Sequence, residues 1–155
     1  MYLLLLSLHS IVRWVVLIAG VVAFAVALRG WLGKRQWTRL DDRLGLVFTS
    51  ALDTQLLLGL LLYVVSPLIR AIFADFGAAM GVTGQRFFAL EHALLMVIAV
   101  VLAHVGRARI RRAPDSAAKY KQAALFFGLA LVLIVLAIPW PFAPAARPLF
   151  RLQIG

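Results

Sequence analysis

The sequence contains no cysteine and few charged residues. Without a thiolate it can form no disulfide, no cysteine-ligated iron–sulfur cluster and no covalently attached c-type haem. Charged residues make up only 14% of the chain, whereas 64% of its residues are hydrophobic. So few charged residues cannot provide the polar surface that a water-soluble fold needs. We therefore expect a protein that crosses a membrane several times. Chemistry that uses histidine and carboxylate side chains remains open.

Four apolar stretches are each long enough to cross the hydrocarbon core of a bilayer, which takes about 17 to 25 helical residues. They leave no room for a separate soluble domain, so we expect an all-α fold: one integral membrane four-helix bundle over residues 1–155. The first stretch has no leading basic segment and exceeds the apolar part of a signal peptide, about 7 to 15 residues, so we count it as a helix. The predicted helices cover about residues 3–28, 44–69, 87–105 and 123–140.

Acidic residues are scarce as well, with six Asp and Glu against 16 Lys and Arg and a net charge of +10. Most of the basic residues lie between helices 1 and 2 or between helices 3 and 4. Because cytoplasmic loops retain Lys and Arg, we expect both termini outside. The charge then reflects topology and contact with membrane lipid, and we expect no nucleic-acid partner. The basic residues of the two loops are Arg29, Lys34, Arg35, Arg39, Arg43, Arg107, Arg109, Arg111, Arg112, Lys119 and Lys121; Arg70, Arg86, Arg147 and Arg151 fall on the opposite side.

Prolines and glycines mark where the apolar helices end. The proline-rich run 139–144 cannot continue a regular helix, because each proline removes a backbone donor and clashes with the preceding turn. Ser66-Pro67 is expected to act similarly near the end of helix 2. After it, residues 68–76 are predicted to form a short amphipathic segment on the outer surface, and residues 77–85 a turn into helix 3.

Two of the three histidines are predicted to lie at the same depth. His9 follows Leu3 by six residues and His92 follows Arg86 by six, so at about 1.5 Å per residue both lie roughly 9 Å below the outer boundary. His104 lies about 18 Å deeper than His92 by the same rise, at the inner edge. Two imidazoles at matched depth on parallel helices can act as the axial ligands of one haem. We therefore predict that His9 and His92 are the metal ligands of a b-type haem.

Charged residues surround this pair. Arg13 lies one turn below His9, Glu91 adjoins His92, and Arg86 begins helix 3. Charged side chains at membrane depth usually face the bundle interior and either pair or serve a site. Arg86 and Arg13 could hold haem propionates, because a guanidinium donates a bidentate pair of hydrogen bonds to a carboxylate. Glu91 could neutralise Arg13 or orient a histidine, and the alternative for all three charges is a structural ion pair between helices 1 and 3.

Helix 2 carries two further polar residues, Asp53 and Gln55. An aspartate at this depth needs a partner or a proton. The candidates are Arg13, His104 from below, or the hydroxyl of a quinol head group. A packing role is the favoured alternative, in which Thr54 and Gln55 make hydrogen bonds between helices.

Four segments resemble those of small four-helix bacterial membrane proteins described as cytochrome b-like. They begin at Leu8, Gln55, Arg86 and Ile138 and read LHSIVRW, QLLLGLLLYVVSP, RFFALEH and IPWPF. The resemblance implies a haem-associated electron carrier, or an accessory subunit of a respiratory or photosynthetic assembly, in the bacterial cytoplasmic membrane. In that group the position corresponding to Asp53 often carries histidine. The resemblance therefore gives no support for a haem on helix 2 and leaves His9 with His92 as the pair to test.

We thus predict an electron-transfer protein that holds one b-type haem in its outer half between helices 1 and 3, with a quinol as a candidate partner. The main alternative is a cofactor-free accessory subunit whose apolar faces pack against a larger complex or against further copies of the chain. Neither interpretation describes an independent enzyme. A small transporter based on Asp53 and Arg13 is less favoured, because no span is broken at mid-membrane and no inverted repeat is present.

Overall fold

The computed structural model describes residues 1–148, and the regular secondary structure in this part of the chain is entirely helical. Four of its helical segments are long and apolar enough to cross a membrane, which confirms the predicted all-helical bundle of four spans. The predicted outer position of Arg151 and of the C-terminus lies outside the described residues. The four candidate spans are Tyr2–Leu32, Arg39–Val65, Thr83–Arg112 and Ser116–Ala137.

Shorter helices connect the second span to the third, and the third span contains a π turn. The elements, in chain order, are α1 (Tyr2–Leu32), α2 (Arg39–Val65), α3 (Pro67–Ala74), α4 (Phe76–Gly81), α5 (Thr83–Arg86), the π turn Phe87–Glu91, α6 (His92–Arg112) and α7 (Ser116–Ala137).

The bundle is arranged so that α1 packs against α2 and α7, while α6 packs closely against α7 and less extensively against α2. Helices α1 and α6 therefore face each other diagonally across the interior. Small residues let the backbones approach closely, as is common between membrane helices. Phe48 and Phe127 fill the centre, with ring centroids 5.5 Å apart. The buried alanines of this core include Ala23, Ala27, Ala99, Ala103, Ala123 and Ala130.

The two ends of the bundle differ in composition. At the basic end, α1 joins α2 and α6 joins α7, and the Lys- and Arg-rich segments of the sequence lie there. At the amino-terminal end, α1 begins, α3 to α5 connect the second span to the third, and α7 stops.

The helices at the basic end are longer than the apolar stretches predicted. α1 continues to Leu32 and α6 to Arg112, whereas α2 already begins at Arg39 and α7 at Ser116. Hydropathy locates the part of a helix that fits a bilayer, but side-chain capping decides where the helix begins. Thr38 forms a capping box with Asp41 at the start of α2, and Asp115 caps α7 by accepting a hydrogen bond from the Ala118 amide.

At the amino-terminal end the predicted boundaries also need correction. Helix 2 ends at Val65 rather than residue 69, because Ser66 caps a new helix whose first residue is Pro67. The predicted amphipathic segment 68–76 corresponds mainly to α3, but the predicted turn 77–85 contains most of α4 and the start of α5. The last span ends at Ala137, three residues before the predicted Trp140.

A cluster of buried polar groups holds the basic end together. Asp41 accepts hydrogen bonds from the Thr38 amide at 2.8 Å, from the Thr38 hydroxyl at 2.6 Å and from the Tyr120 hydroxyl at 2.9 Å. We call Thr38, Asp41 and Tyr120 the Asp41 cluster. Nearby, buried Arg107 donates through Nη1 to the carboxylate and the carbonyl of Asp42. Each of these contacts joins elements distant in sequence or fixes a helix end, so their role is structural.

Candidate cofactor site

His9 on α1 and His92 on α6 meet in the interior near the amino-terminal end. Their ring centroids are 6.3 Å apart and their planes are inclined by 67°. Both residues are partly buried. The structure thus brings together the two histidines that were paired on depth, across the bundle diagonal, where facing helices commonly build cofactor sites. That they bind a metal remains a prediction.

The Pro-Trp-Pro sequence after α7 leaves a backbone carbonyl available on one side of this site. A helical amide donates to the carbonyl four residues earlier, so Pro139 and Pro141 provide no donor for Val135 and Ala137. The Trp140 indole donates to the Val135 carbonyl at 2.9 Å in place of the missing amide. The Ala137 carbonyl is left to accept a hydrogen bond from elsewhere.

His92 supplies that hydrogen bond. Its Nδ1 lies 2.8 Å from the Ala137 carbonyl oxygen. A carbonyl can only accept, so Nδ1 carries the proton and donates. In the neutral ring Nε2 then carries the lone pair, the form in which histidine binds a metal. A backbone carbonyl on the second nitrogen is also the usual way in which a ligating histidine is oriented.

His9 is held by its backbone, whereas one of its ring nitrogens is unsatisfied. The Gln55 side-chain amide donates to the His9 carbonyl at 3.0 Å, which joins α2 to α1. The Nδ1 atom of His9 and the Oε1 atom of Gln55 are both buried without a hydrogen-bond partner among residues 1–148. On the α2 side a Cβ added at Gly59 would lie 3.4 Å from His9 Cε1, an ordinary contact distance. Buried polar atoms are rarely left unpaired, so a bound group is one explanation for this pair of atoms.

A π turn directly precedes His92. It covers Phe87–Glu91, and the Tyr63 hydroxyl donates a hydrogen bond to the Ala89 carbonyl within it. π turns inside helices are frequent at functional sites. The Phe87 ring lies 5.9 Å from the His92 ring, centroid to centroid. The backbone that carries His92 is therefore irregular where the site is formed, and aromatic side chains line it.

The charged residues predicted to surround the two histidines differ in their partners and in their location. Arg86 Nε lies 2.7 Å from Glu91 Oε1, and its Nη1 donates to the Met80 carbonyl at 3.3 Å. The side chains of this ion pair are about two-fifths exposed, at 41% and 42%. The orienting role considered for Glu91 is filled at His92 by a backbone carbonyl. Arg13 is partly buried, with its guanidinium carbon 5.5 Å from the Trp14 ring centroid.

An apolar pocket of about 630 Å³ opens beside the histidine pair. Phe87 and Glu91 line it from the third span, and Val135, Leu136 and Trp140 line it from the end of the last. Neither histidine lines the pocket, so it adjoins the site without separating the two rings.

The remaining histidine forms a second titratable pair. His104 Nε2 on α6 lies 2.7 Å from Asp53 Oδ1 on α2, so of the partners considered for Asp53 the structure shows His104. Both side chains are about half exposed, at 50% and 52%. Thr54 donates to the Ser50 carbonyl of its own helix, whereas Gln55 does make the interhelical bond predicted for it.

Comparison of the chain with protein-family models, with curated proteins and with solved structures gives no match, so the resemblance to cytochrome b-like membrane proteins stays a prediction from the sequence.

Proposed function

We propose that the protein binds one b-type haem through His9 and His92 and carries electrons in the membrane. The observation that supports this most strongly is the 6.3 Å separation of the two ring centroids. An imidazole nitrogen lies about 2 Å from a bound metal and roughly 1 Å from its own ring centroid, so two imidazoles on opposite sides of one iron have centroids about 6 Å apart. The centroid separation therefore matches the one expected for two imidazoles that ligate one iron.

The donor set also suits a haem. The porphyrin supplies four ligands to the iron, so the protein has to supply only two, and a b-type haem needs no cysteine attachment. His92 presents Nε2 in the form that binds a metal, because its Nδ1 donates to Ala137. His9 has a buried nitrogen without a hydrogen-bond partner among the described residues. Metal binding at Nε2 would give both ring nitrogens of His92 a partner. It would also explain why His9 has a buried ring nitrogen.

The surrounding residues would position the group and protect it. Arg86 bonds to Glu91, the residue before His92, and Arg13 lies one turn from His9, so both could donate to haem propionates. Glu91, bonded to Arg86, would then share that guanidinium with a propionate. Phe87 and the apolar core keep water away. When bound, the group supplies one-electron exchange at iron, while the chain fixes the two ligands and their hydrogen bonds.

We further infer that the protein lies in a bacterial cytoplasmic membrane with its basic end in the cytoplasm, which would place the haem in the outer half. A cysteine-free chain makes this testable by single-cysteine labelling. Gln36→Cys, at the exposed basic end, should resist a membrane-impermeant thiol reagent in intact cells. Gly81→Cys, exposed at the amino-terminal end, should react. The reverse pattern would place the haem in the cytoplasmic half.

The haem proposal is tested by the reduced-minus-oxidised visible spectrum of protein purified from haem-supplied cells. His9→Ala and His92→Ala should each abolish the low-spin spectrum, because each removes one axial ligand. His104→Ala is the matched control: it removes an imidazole from the same helix as His92, three turns away, and should leave the spectrum intact.

Two results would contradict the proposal. If His104→Ala alone destroyed the spectrum, the haem would lie with Asp53 nearer the basic end. If wild-type protein bound no haem, even when ferric haem was added, a cofactor-free accessory subunit would become the better interpretation, and co-purifying membrane proteins would be the next thing to identify.

A further inference from the structure

The Asp53–His104 pair is unusual because it lies on the outer surface of the bundle at membrane depth. Asp53 follows Arg43 by ten residues, so at about 1.5 Å per residue it lies roughly 15 Å along α2 from the basic end. Its side chain and that of His104 are each about half exposed. Ionisable groups at such depth are costly and normally face a partner, a cavity or a ligand. Asp53 and His104 are partners of each other here, and their exposure also leaves the pair open to a further occupant.

The pair leaves two polar atoms available to that occupant. Its one interaction uses His104 Nε2 and Asp53 Oδ1, and among the described residues no hydrogen bond is made to His104 Nδ1 or Asp53 Oδ2. With an ionised carboxylate and a neutral imidazole, Nε2–H donates to Oδ1, and both remaining atoms are acceptors.

On its amino-terminal side the pair is bordered by exposed apolar side chains. Leu57 lies one turn from Asp53 on α2, and Val101 lies one turn from His104 on α6, both toward the amino-terminal end. These side chains are 59% and 54% exposed. They flank the seam where α2 and α6 pack less extensively than the other neighbouring helices. A molecule with a polar head on the pair could therefore lay an apolar tail along the seam.

We propose that Asp53 and His104 bind the head group of a lipid-soluble quinone. Its reduced form, the quinol, presents two hydroxyl donors, which match the two acceptors of the pair. The proposed binding site depends only on the Asp53–His104 pair. The proposal that a quinol bound there donates electrons depends on the proposed haem.

A second copy of the chain fits this surface less well. A two-fold symmetric contact places the same patch of both copies face to face. It would bring two Asp53 carboxylates and two acceptor-rich pairs together, and like charges at low dielectric repel each other. A quinol head group meets the pair without this repulsion.

The test is binding of decyl-ubiquinol, the reduced form of a short-tailed benzoquinone, to the full-length haem-free protein in lipid nanodiscs under anaerobic conditions, measured by titration calorimetry. Asp53→Asn and His104→Phe should each weaken binding about tenfold or more, the loss expected for one charge-assisted hydrogen bond. Thr54→Val is the matched control, because Thr54 is an exposed neighbour on the same helix whose hydroxyl bonds to its own backbone. It should bind like wild type. Circular dichroism should show equal helix content in all four proteins.

The outcomes separate this proposal from the haem proposal, because binding is measured without haem. Quinol binding that depends on Asp53 and His104 supports the site even if no haem is ever found. Equal binding by wild type and both variants, or no binding by wild type, overturns it. Wild-type dimers that dissociate on His104→Phe, together with no quinol binding, would assign the surface to a second copy instead.

Discussion

The two ends of the bundle differ in how their buried polar groups are bonded. At the basic end Asp41 accepts three hydrogen bonds and Arg107 donates two through Nη1, although Arg107 Nε and Gln122 Oε1 have no hydrogen-bond partner among the described residues. At the amino-terminal end His9 and Gln55 each bury an atom without a hydrogen-bond partner among the described residues. Polar groups that bond to each other, as in the Asp41 cluster, stabilise the fold. Polar atoms without a partner, beside two histidines spaced to ligate one metal, are better explained by a site for a bound cofactor. We therefore expect mutations at the two ends to have different consequences.

The largest effect on stability should come from the Asp41 cluster. Asp41→Ala removes the Asp41 half of the capping box of α2 and leaves the buried Tyr120 hydroxyl without one of its two acceptors, the other being the Gln36 carbonyl. We expect a loss of about 2 to 4 kcal/mol in unfolding free energy, combining a lost cap with an unsatisfied polar group. The measurement is a reversible unfolding titration in mixed micelles.

The control for that titration is Asp115→Ala, which removes an exposed cap from α7. It should cost about 1 kcal/mol, the usual worth of a helix cap. Equal losses for the two variants would show that the Asp41 cluster contributes no more than an ordinary cap, and the contrast between the ends would be weakened.

A second, smaller effect should separate the two histidines in haem-free protein. His92→Leu leaves the Ala137 carbonyl without its donor and should cost about 1 to 3 kcal/mol. His9→Leu removes a buried nitrogen that has no hydrogen bond within residues 1–148, so the stability of this variant should change much less. Thermal unfolding of both variants without haem provides the measurement. A larger loss for His9→Leu would mean that His9 is mainly a packing residue.

The smallest effects concern two glycines. A methyl group at Gly30 would clash with the Tyr120 ring, whereas at Gly59 it would meet His9 at an ordinary distance. Gly30→Ala should destabilise by about 1 to 2 kcal/mol, because overpacking outweighs the gain in helix propensity. Gly59→Ala should be neutral or stabilising by up to about 1 kcal/mol. Their order in thermal unfolding tests whether packing is tight at the basic end and looser beside His9, and a reversed order would count against it.

Much of the fold could be predicted because apolar length and helical rise are properties of the sequence. Hydropathy located the four spans, and counting residues from the span ends predicted that His9 and His92 lie close together. The helix ends were predicted less well, since they depend on caps such as Thr38 with Asp41, which hydropathy does not register.

The rest of the candidate site depended on contacts between distant segments. Nothing in the local sequence around His92 points to Ala137, which lies 45 residues away. The one available signal was Pro141, four residues after Ala137, which leaves that carbonyl without a helical donor. The bond from Gln55 to the His9 backbone and the π turn before His92 likewise result from packing between helices. Sequence reasoning could therefore find the histidines but not their hydrogen bonds.

The central claim is that His9 and His92 ligate the same iron, and electron paramagnetic resonance of the ferric haem-loaded protein tests it most directly. Two imidazole ligands on one ferric haem iron predict a low-spin signal in the wild-type protein. The signal should disappear in His9→Ala and in His92→Ala and persist in His104→Ala. A high-spin signal in the wild type, or a low-spin signal that survives loss of either His9 or His92, would contradict the claim.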